Sequence, residues 1–499
     1  MPTQDNSRFP AAVYADTVLS VNFRDAQQHF LDALLEIHYA HTLMLERQGI
    51  IPRLIAQRCI RGLDLLDRGE LASVPYDGHS EDLFFFVENA LLRLCGETAA
   101  GSMHTARSRN DIDITQYRIC LRAEILSIVR NLAAARGVLL SLAKRHISTL
   151  MPAYTHTQPA QPITFAHYLL AVIEILGRDE RRLQAAYATV NRCPLGACAI
   201  STTGFPIDRN YTAALLGFEG LQLNSYGAIS ATDYLTETTG AVATAMLNLG
   251  RVTQDFLLWC TAEFGYLRLS NAWVQISSIM PQKRNPVPFE HVRVLASKAL
   301  AQCQGVFTCL HNTPFGDIND AEDDLQPLVF AAVGDANRAI ELFTGVMGGC
   351  EVKTERMAER AASDFLTVTE LADTLVRREG VSFREAHQLV SAAVKDLQRR
   401  YSAPAMVDSV QKLAPAHFGR ELRTSQAELL EALDPRHFVD IRTIPGGPAP
   451  EAIGPAIDQE EKHLAQTKAW IEAKTAALEA YPLQIKEDCS EILTMPKAT

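Results

Sequence analysis

Two long intervals of this chain, Pro75 to Pro152 and Pro206 to Pro281, contain no proline. Proline removes a backbone donor and clashes with the preceding helical turn, so intervals of that length leave room for helices far longer than three turns. In the first interval Ile114, Tyr117, Leu121, Ile125, Ile128, Leu132, Ala135, Leu139 and Leu142 step by three and four, the stripe of a helix packed in a bundle. Gly137 is the weak point of that stripe. The stretch from Ser230 to Leu269 reads as a second long helix, with Tyr234, Val242, Ala245, Leu249, Val252 and Phe256 as core candidates. Residues 287–312 and 325–349 read as two more, and a last helix is expected near 451–479 with a frayed polar tail behind it. Strand signals are sparse. Heptads are not sustained, which disfavours a coiled coil. The expectation is an all-α protein: a long central helical bundle, residues 111–364, flanked by smaller helical domains at 1–110 and 365–499.

Composition narrows the function classes. The 499 residues are 47 % hydrophobic and 21 % charged, ordinary for a globular protein, and 47 Lys plus Arg against 58 Asp plus Glu leaves a net charge of −11. A diffuse acidic excess offers no footprint for nucleic acid or an anionic membrane. No charge-free apolar run approaches the ~18 residues of a spanning helix, and the first twenty residues lack a signal-peptide core. The ten cysteines form no C-x-x-C and have no histidine at zinc-ligand spacing. These readings together favour a soluble, cytoplasmic protein whose cysteines are not a metal framework.

Three loops carry unusual clusters. His104-Thr-Ala-Arg-Ser-Arg-Asn-Asp111 precedes the first long helix, where Ser108, Arg109, Asn110 and the free amides of the first turn suit a carboxylate; a cap formed by Asp111 or Asn110 beside a solvated arginine explains the same residues. Tyr154-Thr-His-Thr-Gln-Pro-Ala-Gln-Pro162 places His156 between hydroxyl and amide side chains, either as a held proton donor or within a capped first helical turn. Gln275-Ile-Ser-Ser-Ile-Met-Pro-Gln-Lys-Arg-Asn-Pro286 sets Ser277 and Ser278 before Lys283 and Asn285, cationic and amide groups suited to a developing oxyanion.

At these places the chain resembles the aspartase/fumarase superfamily, and more closely its argininosuccinate lyases. Ser277 to Asn285 is similar to the superfamily signature GSSxMPxKxN, His104 to Asp111 to HTGRSRND, and Tyr154 to Pro162 to YTHLQRAQP. Leu371 to Val376, Phe383 to His387 and Arg442 to Gly447 extend the likeness toward the C-terminus. The resemblance implies elimination of fumarate across a carbon–nitrogen bond through an aci-carboxylate dianion. It implies Ser277 as the base and His156 as proton donor or orienting group. Lys283 and Asn285 would hold the carboxylate where charge builds, within the loop that also carries Met280. Ser108, Arg109, Asn110 and Thr155 would grip the succinyl half, with Gln161 from the same segment. It further implies no cofactor, a small-molecule substrate, and a homotetramer whose sites are each built from three subunits.

The departures concern the other half of the substrate. The family's PLAYNKDLQEDKEP corresponds to Pro314-Phe-Gly-Asp-Ile-Asn-Asp-Ala-Glu-Asp-Asp-Leu-Gln-Pro327, so its Tyr is Asp317, its first Lys Asn319, its Gln Glu322 and its second Lys Leu325. The family's EDIH is Glu81-Asp-Leu-Phe84, the glycine before the serines is Ile276, and the match near Ser20 to Asp25 is too poor to transfer residues. Asp317, Asn319 and Glu322 are therefore candidates for an amine pocket, with Asp320, Asp323 and Asp324 beside them; a solvated acidic turn explains the same run. The pattern resembles the ethylenediamine-N,N'-disuccinate (EDDS) lyase type of the family. The alternatives are an argininosuccinate lyase, an aspartase-like ammonia lyase and a silent structural homologue of the lens-crystallin kind.

Overall fold

The computed structural model describes residues 9–494 apart from 399. Six long helices organise it: α1 (Arg109–Arg145), α2 (Phe165–Val190), α3 (Asp233–Trp259), α4 (Val287–Leu310), α5 (Gln326–Gly348) and α6 (Pro450–Thr494). Three two-stranded antiparallel pieces accompany them: β1 (Leu150–Thr155) with β2 (Gln158–Thr164), β3 (Leu267–Leu269) with β6 (Cys350–Val352), and β4 (Gln275–Ile276) with β5 (Arg284–Asn285). The fold is all-α, as the long helical stripes lead one to expect.

The stripe on α1 is wholly interior: all nine residues from Ile114 to Leu142 are buried, against α2, α5 and α6. α1 is also apolar enough over part of its length to cross a bilayer, but its apolar residues line the bundle core. Arg136, buried between helices, donates to Glu180 Oε2 of α2 at 2.5 Å and to Glu460 Oε2 of α6 at 2.7 Å, so one cation ties three helices together. At Gly137 an added Cβ would meet only Leu464 Cδ2, at 3.9 Å. A Gly137→Ala variant is therefore expected to gain about 0.5–1 kcal/mol by lowering the freedom of the unfolded chain, read as a higher urea midpoint at unchanged slope.

Three expectations need correction. The helix anticipated across 230–269 ends at Trp259: the chain turns at Gly265 (φ 64°), where the Tyr266 N–H returns to the Trp259 carbonyl, and Leu267–Leu269 is a strand. All six of its core candidates are nonetheless buried. The last helix does not fray after 479 but runs to Thr494, because Ile485, Cys489 and Ile492 recur at helical spacing and bury against the N-terminal helices, with Tyr481 donating to Glu36 Oε2 at 2.7 Å. The segment 154–162 is a β-hairpin, not a first helical turn. Residues 371–433 form a separate small core, while α6 joins the bundle through Ile453, Ile457, Leu464 and Ile471.

Candidate functional site

The N-terminus of α1 is built by capping. Ser108 is the cap: its backbone N–H donates to Asp111 Oδ1 at 2.9 Å and its hydroxyl donates to Asn110 Oδ1 at 2.9 Å. The cap is thus neither Asn110 nor Asp111. Nor is Arg109 a free surface arginine: although partly exposed, it donates to Asp82 Oδ2 at 2.5 Å, pairs with Glu81 Oε1 at 3.0 Å, and lies over the Phe85 ring.

These residues border a cavity of about 150 Å³ that gathers two of the sequence clusters. Arg109, Asn110, Asp317, Asn319 and Glu322 all line it, joined by Glu81, Asp82, Asp113, Asp323 and Asp324. Seven carboxyl groups thus surround one guanidinium, itself committed to two of them. Crowding has the expected electrostatic result. Burial, then the hydrogen bond and charge of Asp317, push Glu322 up to about 8. Asp113 is raised well above the carboxylate range by burial and then by Asp323, Asp82 and Glu322. Asp323 is raised mainly by burial, although it accepts from the Tyr117 hydroxyl at 2.6 Å. The acidic run is therefore not a solvated turn throughout: Asp320 is exposed and outside the cavity, and Asp324 sits exposed at its rim, but Glu322 and Asp323 are turned inward. Leu325, at the family's second lysine position, is buried in the bundle core.

Sequence reasoning passed over Asp113 and the N-terminal wall, and read Tyr117 as a core residue alone. Arg109, Asp113 and Tyr117 step by four, so one face of α1 carries all three, a signal available once Ser108 is known to start the helix. Tyr14, Val18, Leu19 and Asn22 close the cavity from the helical segment where no motif was recognisable.

The other two clusters do not line this cavity. His156 and Thr157 form the two-residue tip of the β1–β2 hairpin, both at positive φ (48° and 62°), a turn that ordinarily takes Asn-Gly. Side chains resist that conformation, and such strain gathers at functional sites. Thr155 and His156 are exposed, and the Gln161 amide donates to Thr369 Oγ1 at 3.2 Å. In the third cluster, Gln275 pairs with Asn285 and Ile276 with Arg284, so the next positions on the two arms are Ser277 and Lys283. The hairpin register thus explains why serine and lysine stand six residues apart. Ser277 Oγ accepts from the Met280 N–H at 3.1 Å; Lys283 and Met280 are exposed and Asn285 half-buried. Arg284 ties the base to Asn271 Oδ1 (2.8 Å) and the Leu269 carbonyl (2.7 Å). Ile276 and Ile279 are each 83 % exposed, apolar side chains that nothing in this chain covers among the described residues.

Residues 78–301 match the family model described as lyase, and residues 365–440 that of the argininosuccinate lyase C-terminal region. Argininosuccinate lyase 2 of Agrobacterium fabrum is 42 % identical over 90 % of this chain and 89 % of its own length. The chain belongs to the argininosuccinate lyase family. The argininosuccinate lyase of Methanoculleus marisnigri is 39 % identical over 91 % of this chain and 92 % of its own. Among solved structures, EDDS lyase in complex with formate superposes with a TM-score of 0.86 at 32 % identity, covering 97 % of this chain and 98 % of the other. The protein is accordingly a carbon–nitrogen lyase of the fumarate-releasing family, with the family's helical fold.

Proposed function

We propose that this lyase eliminates fumarate from an N-substituted aspartate whose leaving group is a diamine, the bond type cleaved in ethylenediamine-N,N'-disuccinate. The observation that carries this reading is the cavity beside Arg109 and Asn110, where seven carboxyl groups face one cation already paired. A leaving amine with a second ammonium group is matched by such walls; a leaving group that ends in a carboxylate is opposed by them.

In the proposed reaction Ser277, ionised beside Lys283 and Asn285, removes the proton from the carbon next to the carboxylate. Those two side chains, with amides of the Ser277–Lys283 loop, stabilise the aci-carboxylate dianion. The carbon–nitrogen bond then breaks, and the amine leaves into the acidic cavity. His156, at the strained hairpin tip, orients or protonates. Ser108, Arg109, Asn110, Thr155 and Gln161 hold the succinyl part. Because the hairpins and the cavity are separate within one chain, this reading requires a homotetramer in which the Ser277 and His156 loops of other subunits complete each site; exposed Ile276 and Ile279 are then covered by assembly. No step calls for a cofactor, since nothing is oxidised.

The second reading, turnover of argininosuccinate, is favoured by the names of the 42 % and 39 % identical relatives. Fumarate absorbance with EDDS, the singly succinylated diamine N-(2-aminoethyl)aspartate, argininosuccinate and aspartate in turn separates the two. The expected order places the singly succinylated diamine first, since it brings no distant carboxylate to the acidic wall. Cleavage of argininosuccinate alone overturns the proposal.

Acidity adds a separate test. Glu322 becomes anionic only as pH rises through about 8, so KM for the diamine substrate should fall between pH 7 and 8.5, and this fall should be absent in Glu322→Gln. The same shift acts on stability. A carboxyl raised from 4.5 to about 8 holds its proton more tightly in the folded state, so its contribution is full below pH 4.5 and is lost as pH rises to about 8. The unliganded protein should melt at lower temperature at pH 8 than at pH 5, with a smaller decline in Glu322→Gln.

A further inference from the structure

Asn110 owes its orientation to an arrangement that capping alone does not explain. Its Nδ2 donates to the Ala199 carbonyl at 3.1 Å and its Oδ1 accepts from the Ser108 hydroxyl, which leaves one N–H and one lone pair for the cavity it lines. Ala199 belongs to a loop with an unfavourable backbone: Gly196 stands at φ 87°, but Cys198 at φ 53° and Thr202 at φ 66° carry side chains in the left-handed region. Asp111 holds this loop, together with the bonds of the Thr202 N–H to the Ala197 carbonyl and of the Cys198 thiol to the Ala106 carbonyl. The Asp111 carboxylate is fully buried, and beyond the capping bond to Ser108 its Oδ2 accepts from the Gly196 N–H at 2.8 Å and the Cys198 N–H at 2.9 Å. Neutral backbone amides, not a salt bridge, satisfy this carboxylate; Arg107 acts on it only through its field.

We propose that Asp111 is a positioning residue for the lyase reaction: by clamping Gly196 and Cys198 it sets the Ala199 carbonyl, and that carbonyl aims the Asn110 amide at the substrate. The inference rests on the reading above that Asn110 binds substrate. It assigns the 196–199 loop a role that no motif in the sequence announced.

The test compares Asp111→Asn, Asn110→Ala, Cys198→Gly and the double variant Asp111→Asn/Cys198→Gly, with rates referred to the folded fraction and the singly succinylated diamine as substrate. Asparagine keeps the size and the bond to Ser108 but presents an NH2 group to two donors. Asp111→Asn is expected to raise KM about 10-fold with kcat within about twofold, matching Asn110→Ala, the size of one hydrogen bond to a charged ligand. Glycine adopts positive φ freely but loses the buried thiol's bond to the Ala106 carbonyl, so Cys198→Gly serves as a second background, in which adding Asp111→Asn should raise KM by clearly less than in the parent chain. If Asp111→Asn alone does not fold, the double variant is read against Cys198→Gly: a KM above that of Cys198→Gly supports the clamp, and an equal KM overturns it. A purely structural Asp111 lowers the melting temperature without moving KM; that result, with KM raised in Asn110→Ala, overturns the proposal and leaves the substrate reading standing. An unchanged KM in Asn110→Ala overturns both.

Discussion

In a Ser277→Ala variant the rate of fumarate release is expected to fall by about 10³-fold or more, within the range usual for loss of a proton-transfer group. Stability should barely change. The Ser277 side chain bonds only the N–H groups of Ile279 and Met280 inside its own exposed loop, so its removal leaves no buried group unsatisfied. A serine hydroxyl is a poor base in water, so the proposed role of Ser277 needs surroundings that stabilise its alkoxide, and Lys283, on the facing arm beyond the Ile276–Arg284 pair, is the cation proposed to do so. Lys283→Ala should therefore lose rate on the same scale, again with an unchanged melting temperature. Retention of more than a tenth of the parent rate in Ser277→Ala would remove serine from the mechanism.

The second large effect is a change of specificity. Introducing lysine at Asn319 and at Asp317, singly and together, places cations on a wall that now carries none apart from Arg109. With a diamine leaving group the expected cost is about 10²-fold or more in kcat/KM, because like charges are forced together in a partly buried site. With argininosuccinate the same changes are expected to raise turnover, since the carboxylate of its arginine end gains a partner. Both positions are exposed, so the substitutions are tolerated by the fold. A loss with both substrates, or no change with either, would show that these side chains do not select the leaving group.

Much of this organisation could be read before any coordinates. The α1 stripe was legible because Ile114 to Leu142 bury one continuous face, and long helices impose their period over many turns. The His104–Asp111 and Ser277–Asn285 clusters were legible because their side-chain types are uncommon together. Less was visible where structure depends on partners distant in sequence. Tyr154 to Pro162 forms a hairpin by pairing Thr155 with Gln158 across a tip of two non-glycine residues at positive φ, which turn preferences oppose. The α6 extension past 479 depends on an N-terminal surface that receives Ile485, Cys489 and Ile492. Asp113 was missed because its role arises from Asp323 and Glu322, some two hundred residues away in sequence, being folded against it.

The nature of the leaving amine is tested most directly by running the reaction backwards in competition. Fumarate offered together with equal concentrations of ethylenediamine and arginine leads to distinct adducts that mass spectrometry separates. The acidic cavity predicts N-(2-aminoethyl)aspartate as the dominant product, with its formation depending on Ser277. Argininosuccinate as the dominant product would contradict the account and assign the cavity to the guanidinium end of arginine.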